Sequence, residues 1–272
     1  MVRNTLAGAR ELAGYDDVSR IRQAQDHDWA LDLAPGPPTR VADLGCGTGA
    51  LLDAALGRWP GVRRALGVDG APARVREAAA RLAGRAEVRE GDVRRLPPLD
   101  ESFDLITMTS VLHWLHPDEA RAFAWVAAHL APSGAFLLTT HHPDPDPSGQ
   151  GGEDAVARDA LALLGIRGPD ALDGIVPMGE RARTADAVAA LLARVLVVDR
   201  CEERRVTVKA SGADEYRRFH AATFGTYFSR LVPEDAQEDF FAAVGEAAAR
   251  RMAEHGEVYG ITVRAWRARP AG

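Results

Sequence analysis

At 272 residues, the chain is long enough to bury a full hydrophobic core, as one decorated domain or as two small ones. Its 33 basic and 39 acidic residues give a net charge of −6, so no positive field favours binding to the phosphates of a nucleic acid. Two cysteines, Cys46 and Cys201, exclude a disulfide framework. No apolar stretch is long enough for a signal peptide or a membrane span, so we expect a cytoplasmic protein.

The predicted elements alternate between strands and helices as far as residue 140. Residues 1–38 are predicted to be helical because their apolar residues are three and four positions apart, and prolines end this segment. The elements that follow are the strands 40–44, 65–69, 87–90, 103–107 and 135–140 and the helices 50–58, 72–82 and 117–130. Such alternation indicates βαβ units and a doubly wound α/β fold with a parallel sheet.

Beyond residue 140 the alternation is lost. The segment 141–152 is rich in Pro, Asp, Ser and Gly and is predicted to be a loop, either at a binding rim or on plain surface. Further helices are predicted over 155–164, 184–194, 213–230 and 233–255, and strands over 195–198, 205–208 and 258–267. We therefore predict an N-terminal helical cap (1–38), a core (39–208), a helical insertion that covers the substrate (209–257) and a final core strand (258–272).

The first predicted strand leads into a loop with three glycines, Gly45, Gly47 and Gly49. A sharp turn that brings the backbone close to a ligand favours residues without a Cβ atom, and the next helix directs its N-terminus to the same place. The spacing is G-x-G-x-G, because Ala50 stands where the last glycine of a dinucleotide-binding loop would fall. The glycine triplet alone fits either a cofactor site or a structural turn.

Polar residues follow each of the next strands. Asp69 ends the second strand, where a carboxylate can accept hydrogen bonds from both hydroxyls of a ribose. Asp92 follows the third strand and can reach an adenine amino group, and Thr109 follows the fourth. Ligands of open α/β sheets bind above the carboxyl ends of the strands, so these residues and the glycine loop are predicted to share one crevice.

The sequence Asp-Leu-Gly-Cys-Gly-Thr-Gly at 43–49, together with Asp69 and Asp92, resembles the class I S-adenosylmethionine-dependent methyltransferases over roughly residues 38–142. The resemblance implies a Rossmann-like, mostly parallel sheet with an antiparallel last strand, and S-adenosyl-L-methionine as the cofactor. It implies that the backbone of 45–49 holds the methionine and adenosine parts, that Asp43 lies near the methionine amino group and that Asp69 binds the ribose. The cofactor-binding residues expected on this basis are Asp43, Gly45, Cys46, Gly47, Gly49, Asp69, Gly70, Asp92, Val93 and Thr109.

A narrower resemblance concerns residues 109–115. Their sequence, Thr-Ser-Val-Leu-His-Trp-Leu, is similar to the Asn-Ala-x-Leu-His-Trp-Leu segment of the trans-aconitate methyltransferase-like branch, which also has a helical insertion between its last two strands. Thr109 stands at the Asn position, and the two-tryptophan N-terminal pattern of that branch is not evident. The substrate trans-aconitate is therefore not carried over to this chain.

Three histidines are candidates for a general base. A sulfonium is a strong methyl donor, so the protein mainly has to align the acceptor, and a base is needed only if the acceptor loses a proton. His113 follows the fourth strand, and His141 and His142 end the fifth. Their alternative roles are packing, helix capping and solvent contacts in a loop. His141, His142, Asp144 and Asp146 are residue types that bind metals, but their spacing matches no ligand pattern, so no metal is predicted.

These observations favour a methyltransferase whose partner is a small-molecule acceptor, a specialised metabolite methylated at O, N or C. We expect a monomer or homodimer with no nucleic-acid or membrane partner. Two alternatives stay open: a protein of the same fold that binds the cofactor without transferring methyl, as a regulator or a catalyst of a rearrangement, and an NAD-dependent oxidoreductase. The aromatic residues within 219–228 either line an acceptor pocket or belong to the core, and His220 lies in the same segment.

Overall fold

The computed structural model describes residues 27–145 and 150–271, which form two compact units. The first, which we call the sheet unit, contains residues 27–141, 181–204 and 263–271. The second, which we call the helical unit, contains residues 142–145, 150–180 and 205–262. Most of the predicted N-terminal helical cap lies outside the described residues, as does Asp146. The four-part division expected from the sequence stays a prediction.

Helices and strands alternate through the first half of the chain, as predicted. In chain order the elements are α1 His27–Leu31, β1 Arg40–Leu44, α2 Ala50–Arg58, β2 Arg64–Asp69, α3 Pro72–Leu82, β3 Glu87–Glu90, β4 Phe103–Thr109, α4 Leu112–Leu115, α5 Glu119–His129, β5 Leu130–Pro143, α6 Gly152–Leu163, α7 Met178–Ala182, α8 Ala185–Leu192, β6 Leu196–Val208, α9 Ala213–Phe228, α10 Gln237–His255 and β7 Tyr259–Pro270. No helix among the described residues is both long enough and apolar enough to cross a membrane.

Seven strands form one sheet in the order β3-β2-β1-β4-β5-β7-β6. The pairs β1–β2, β2–β3, β1–β4 and β4–β5 are parallel, and the sheet is mixed, with one antiparallel edge. The doubly wound α/β fold expected from the sequence is therefore confirmed. Because β1 lies between β2 and β4, the chain changes direction across the sheet after β3. The carboxyl ends of β1 and β4 flank this switch point, where ligands bind in open α/β sheets.

The central strands are buried on both faces, which explains their nearly continuous apolar sequences. In β4, Ile106 and Met108 pack in one hydrophobic cluster with Phe136 of β5, whereas Leu105 packs in a second cluster with Leu137 of β5. Alternate residues of one strand thus enter cores on opposite faces. This packing fixes the position of each strand end relative to its neighbours.

Several predicted bounds were wrong beyond residue 140. The strand β6 is continuous, although residues 199–204 are too polar to be predicted as strand; it lies at an edge of the sheet, where polar side chains reach solvent. The strand β5 extends through 141–143, which were predicted as loop. In β7, Ala265 and Trp266 are buried in different hydrophobic clusters, and Trp266 Nε1 donates to Thr140 Oγ1 at 2.8 Å.

A buried ion pair joins the start of α5 to the segment before α8. Glu119 has no exposed surface, and Arg183 donates to it through Nε (2.9 Å) and Nη2 (3.1 Å). Burial by itself raises the pKa of Glu119, but the hydrogen bonds from Arg183 hold it below its ordinary value. Removal of the arginine would leave a buried carboxylate without this partner.

We expect Arg183→Met to lower the free energy of unfolding at pH 7 by about 3 kcal/mol, because the buried Glu119 loses two charge-assisted hydrogen bonds and retains a longer contact, at 3.4 Å, with His116 Nδ1. Urea denaturation followed by circular dichroism measures this loss. The matched control is Arg121→Met on α5, whose exposed pair with Asp118 spans 3.5 Å and is expected to contribute less than about 1 kcal/mol. Equal losses in the two variants would contradict the assignment, and Glu119→Gln combined with Arg183→Met should recover part of the stability.

Candidate functional site

The loop between β1 and α2 has a backbone that requires its glycines. Gly45, Gly47 and Gly49 have φ angles of +76°, +54° and +79°, in the left-handed region that side chains disfavour. The N–H groups of Gly45 and Cys46 both donate to the carbonyl of Val68, at 2.7 and 2.9 Å. The loop is therefore held against the end of β2.

The space around these glycines differs from one to the next. A Cβ atom at Gly45 would lie 2.3 Å from Cγ2 of Val111, so that position also needs glycine for packing. A Cβ atom at Gly47 would meet nothing within 4 Å, so the space beside this residue is open. This open space lies beside a left-handed backbone and next to the N-terminus of α2. A ligand with polar groups can bind there, because the backbone N–H groups of the loop and of the helix end are close by.

Asp69 links β2 to the glycine loop. Its Oδ2 accepts the N–H of Gly47 at 2.9 Å, and its Oδ1 accepts the N–H of Ala71 at 2.8 Å. Each carboxylate oxygen has a second lone pair, so Asp69 can still accept hydrogen bonds from a ligand. The residue predicted from the sequence as a ribose ligand thus also shapes the loop, and Gly70 follows it directly.

Asp43 is a buried carboxylate at the carboxyl end of β1. Thr107 Oγ1 donates to its Oδ1 at 2.7 Å. Burial raises the pKa of Asp43 to about 7. The hydrogen bond from Thr107 lowers this pKa, and the negative charge of Asp69 raises it further. A cation placed beside this carboxylate would lower its pKa again and stabilise its charged form. The site therefore favours a ligand with a positively charged group.

Asp92 has a partner that the sequence did not predict. Its carboxylate forms a bidentate pair with Arg94, with Nε–Oδ1 at 2.9 Å and Nη2–Oδ2 at 2.8 Å, and it caps the 3₁₀ turn Val93–Arg95. The hydrogen bonds from Arg94 lower the pKa of Asp92. Its role toward an adenine stays a prediction, as does that of the buried Val93.

Cys46 contributes its backbone to the loop, while its side chain packs on β2. A Cβ atom at Gly67 would lie 3.0 Å from the Cys46 sulfur, so only a glycine at that position of β2 leaves room for the thiol. Burial raises the pKa of this thiol, which keeps it protonated at neutral pH. The thiol therefore has a packing role and no reactive thiolate character.

The ends of β4 and β5 bring two of the predicted histidines together. Ser110, which follows Thr109, has a φ of +58°, and its N–H donates to Thr139 Oγ1 at 3.0 Å. Ser110 Oγ lies 3.5 Å from Nε2 of His141, and the rings of His141 and His113 are 6.4 Å apart, edge to face. We call Ser110, His113 and His141 the histidine cluster.

The histidine cluster lies at the same edge of the sheet as the glycine loop. The contact between Val111 and Gly45 joins the two, since Val111 stands between Ser110 and α4. His113 and His141 are both buried. His142 follows His141 in β5, where successive side chains point to opposite faces of the sheet. Its role as a base stays a prediction.

Sequence reasoning missed several polar partners. Thr107 and Thr139 stand inside otherwise apolar strands, and that contrast was a usable signal. The left-handed conformation of Ser110 leaves no trace in composition or spacing. Arg181, whose Nε donates to the carbonyl of His113 at 2.9 Å, is distant in sequence and could not have been found. Among residues 27–145 and 150–271, no group of three or more His, Cys, Asp or Glu is arranged to hold a metal ion.

Comparison with known proteins shows what the segment that holds this site is similar to. Residues 41–134, from β1 into β5, match the family model of the methyltransferase domain. A trans-aconitate 2-methyltransferase from Deinococcus radiodurans is 32% identical over 124 residues, which cover 46% of this chain and 46% of that protein. The chain thus spans about half the length of the curated relatives it matches.

Solved structures share the fold over nearly the whole chain. The N-methyltransferase NodS from Bradyrhizobium japonicum, in complex with S-adenosyl-L-homocysteine, superposes with a TM-score of 0.53 at 19% identity and covers 99% of this chain and 100% of that one. The [4+2]-cyclase SpnF superposes with a TM-score of 0.54 at 19% identity, with coverages of 91% and 81%. These low identities show the fold alone. The family match covers the segment that holds the glycine loop, and this segment is similar to the class I S-adenosylmethionine-dependent methyltransferases.

Proposed function

We propose that this protein transfers the methyl group of S-adenosyl-L-methionine to a small-molecule acceptor, a specialised metabolite methylated at O, N or C. The observation that carries the proposal is the position of the glycine loop, with Asp43 and Asp69, at the same sheet edge as His113 and His141. A donor site and a group able to remove a proton from an acceptor are the two requirements of such a transfer.

The residues present fit the cofactor. Asp43 would pair with the methionine ammonium group, and this pairing would offset the cost of burying the charged Asp43 carboxylate. The second lone pairs of Asp69 would accept the ribose hydroxyls, and the open space beside Gly47 would admit the ligand next to the loop backbone. When bound, the cofactor supplies an electrophilic methyl group on a sulfonium. Val93, Gly70 and Thr109 remain proposed contacts.

We infer that His141 receives the acceptor's proton where the acceptor is a hydroxyl or another group that must lose one. His141 is buried, and its Nε2 lies 3.5 Å from Ser110 Oγ, which fixes the orientation of the ring. The ring of His113 lies edge to face with that of His141, with the centroids 6.4 Å apart. His142 lies on the other face of β5 and is the weaker candidate.

The proposal is tested by incubating the protein with S-adenosylmethionine labelled in its methyl group and a panel of small hydroxylated, carboxylated and amino compounds. We expect label in one class of acceptor. Absence of transfer, together with no binding of S-adenosylhomocysteine by calorimetry, would refute the proposed activity.

A second candidate function is cofactor binding without methyl transfer, as a regulator or as a catalyst of a rearrangement. The structural similarity to SpnF, which is described as a [4+2]-cyclase, favours keeping this candidate. Tight binding of the cofactor with no turnover across the acceptor panel would support it. The G-x-G-x-G spacing and the family match favour a methyl donor over a nicotinamide cofactor.

We also propose that the protein acts in the cytoplasm, as a monomer or homodimer, and that its substrate is neither a nucleic acid nor a membrane lipid. Cys46 and Cys201 are both free, which suits a reducing compartment. The net charge of −6 gives no attraction to polyphosphate backbones.

Binding of the cofactor at pH 7 should release a proton from Asp43. Its pKa of about 7 lies above that of a free aspartate, so part of the molecules carry the proton at pH 7, and a nearby ammonium group favours the ionised form. Calorimetry with S-adenosylhomocysteine in buffers of different ionisation enthalpy should show release of protons that increases as the pH falls toward 6. Asp43→Asn should bind without this release, and equal proton release in both proteins would contradict the role of Asp43.

Replacement of the proposed base should slow the chemical step. For the acceptor found by the labelled assay, we expect His141→Gln to reduce kcat by about 10²–10⁴-fold, with the KM for the cofactor unchanged. His255→Gln is the control, since His255 is exposed and pairs with Glu254. An unchanged kcat in His141→Gln, or an equal loss in the control, would contradict the assignment.

A further inference from the structure

The short segment that carries His113 cannot be completed by its own backbone. The helix α4 is a single turn, Leu112–Leu115, and residues 116 and 117 follow it. In a longer helix the carbonyl of His113 would accept the N–H of the residue four positions on, but that residue is Pro117, which has no N–H. The carbonyl of His113 therefore needs a donor from outside the helix.

The carbonyl of Trp114 is in the same position. The N–H of Asp118, which would reach it in a continuous helix, donates to the carbonyl of Leu115 at 2.8 Å instead. A helix of four residues forms few internal hydrogen bonds, so the backbone of α4 depends on partners elsewhere in the sheet unit for a fixed conformation.

Arg181, which also belongs to the sheet unit, supplies donors to both carbonyls. Its Nε donates to the carbonyl of His113 at 2.9 Å, and its Nη2 donates to that of Trp114 at the longer distance of 3.5 Å. A guanidinium group presents its N–H groups in one rigid plane, so it can hold two neighbouring carbonyls in a single orientation. Its positive charge is also favourable beside the carbonyls at the end of a helix.

Residues 110–115, which we call the His113 turn, are held at their other end by β5. The N–H of Ser110 donates to a threonine hydroxyl of that strand at 3.0 Å. Between the two anchors, Val111 packs against Gly45 of the glycine loop, and the ring of His113 lies 6.4 Å from that of His141. The His113 turn thus contacts both the glycine loop and the proposed base, so a displacement of its backbone changes the distance between them.

We propose that Arg181 is a positioning residue for methyl transfer: its guanidinium holds the His113 turn and thereby aligns the glycine loop with His141. This role needs no contact between Arg181 and the acceptor. A misplacement of about 1 Å at a reacting centre can cost about 10²-fold in rate, so loss of the guanidinium should affect the chemical step more than it affects cofactor binding. The inference rests on the proposed function, because it takes His141 as the base.

The kinetic test compares Arg181→Met with Arg181→Lys. For the acceptor found by the labelled assay, we expect Arg181→Met to lower kcat by about tenfold or more, with the KM for the cofactor unchanged. A lysine ammonium is a point charge that can hold one of the two carbonyls, so Arg181→Lys should lose less activity. Arg250→Met is the matched control, because Arg250 is exposed on α10 and pairs with Glu246 one turn earlier. Equal kcat in Arg181→Met and the wild type, or an equal loss in the control, would overturn the proposal.

A spectroscopic measurement tests the His113 turn without any acceptor. In protein labelled with ¹³C in its histidine rings, the signals of His113 and His141 are assigned by replacing each residue with glutamine. We expect Arg181→Met to shift both signals and to leave that of His129 in place. His129 is the internal reference, since both of its ring nitrogens are hydrogen-bonded at the end of α5.

Unchanged signals of His113 and His141 in Arg181→Met would overturn the proposal, whatever the transfer assay shows. Shifted signals in a protein that transfers no methyl would uphold the hold of Arg181 on the His113 turn and refute the proposed function alone, so the two failures are distinguishable. Circular dichroism checks that each variant folds. Where Arg181→Met does not fold, Arg181→Lys serves for both measurements, with smaller shifts and a smaller loss of kcat expected.

Discussion

The carboxylate of Asp69 is the contact on which the candidate site depends. It accepts the N–H of Gly47 in the loop and the N–H of Ala71 at the start of α3, while the carbonyl of Val68 accepts two more loop N–H groups. The end of β2 thus imposes the conformation of the loop that follows β1. The left-handed glycines are a consequence, since no residue with a side chain adopts that path without strain. Fixing the loop in this way prepares it for a ligand and reduces the ordering cost of binding.

The same sheet edge holds groups whose arrangement costs stability in the absence of a ligand. Asp43 is buried with a raised pKa, and Ser110 has a left-handed backbone beside His141. Backbone strain and buried charge collect at functional sites because binding relieves them. Other interactions stabilise the fold and offset these costs, among them the Glu119–Arg183 ion pair and the packing of β4 on both of its faces.

Much of the sheet unit could be predicted from the sequence, because local signals there agree with the fold. The bounds of α2 and α3 match the prediction, since strong helix formers and a proline in the first turn mark them. The strand β6 could not be predicted, because its polar residues reflect its place at a sheet edge, which is a property of the topology. At the site, glycine and aspartate spacing predicted the loop and its partners. The Asp92–Arg94 pair, the torsion of Ser110 and the contact of Arg181 with the carbonyl of His113 depend on side-chain placement, which spacing does not encode.

The central claim is that the loop fixed by Asp69 is the cofactor site. Isothermal titration of S-adenosylhomocysteine into the wild-type protein and into Asp69→Asn tests it most directly. An asparagine would turn an amide N–H₂ toward one of the two backbone N–H groups that the carboxylate now accepts, and would lose an acceptor for the ribose. We expect one site in the wild type and affinity lower by about tenfold or more in the variant. No binding to the wild type, or equal affinity in both proteins, would contradict it.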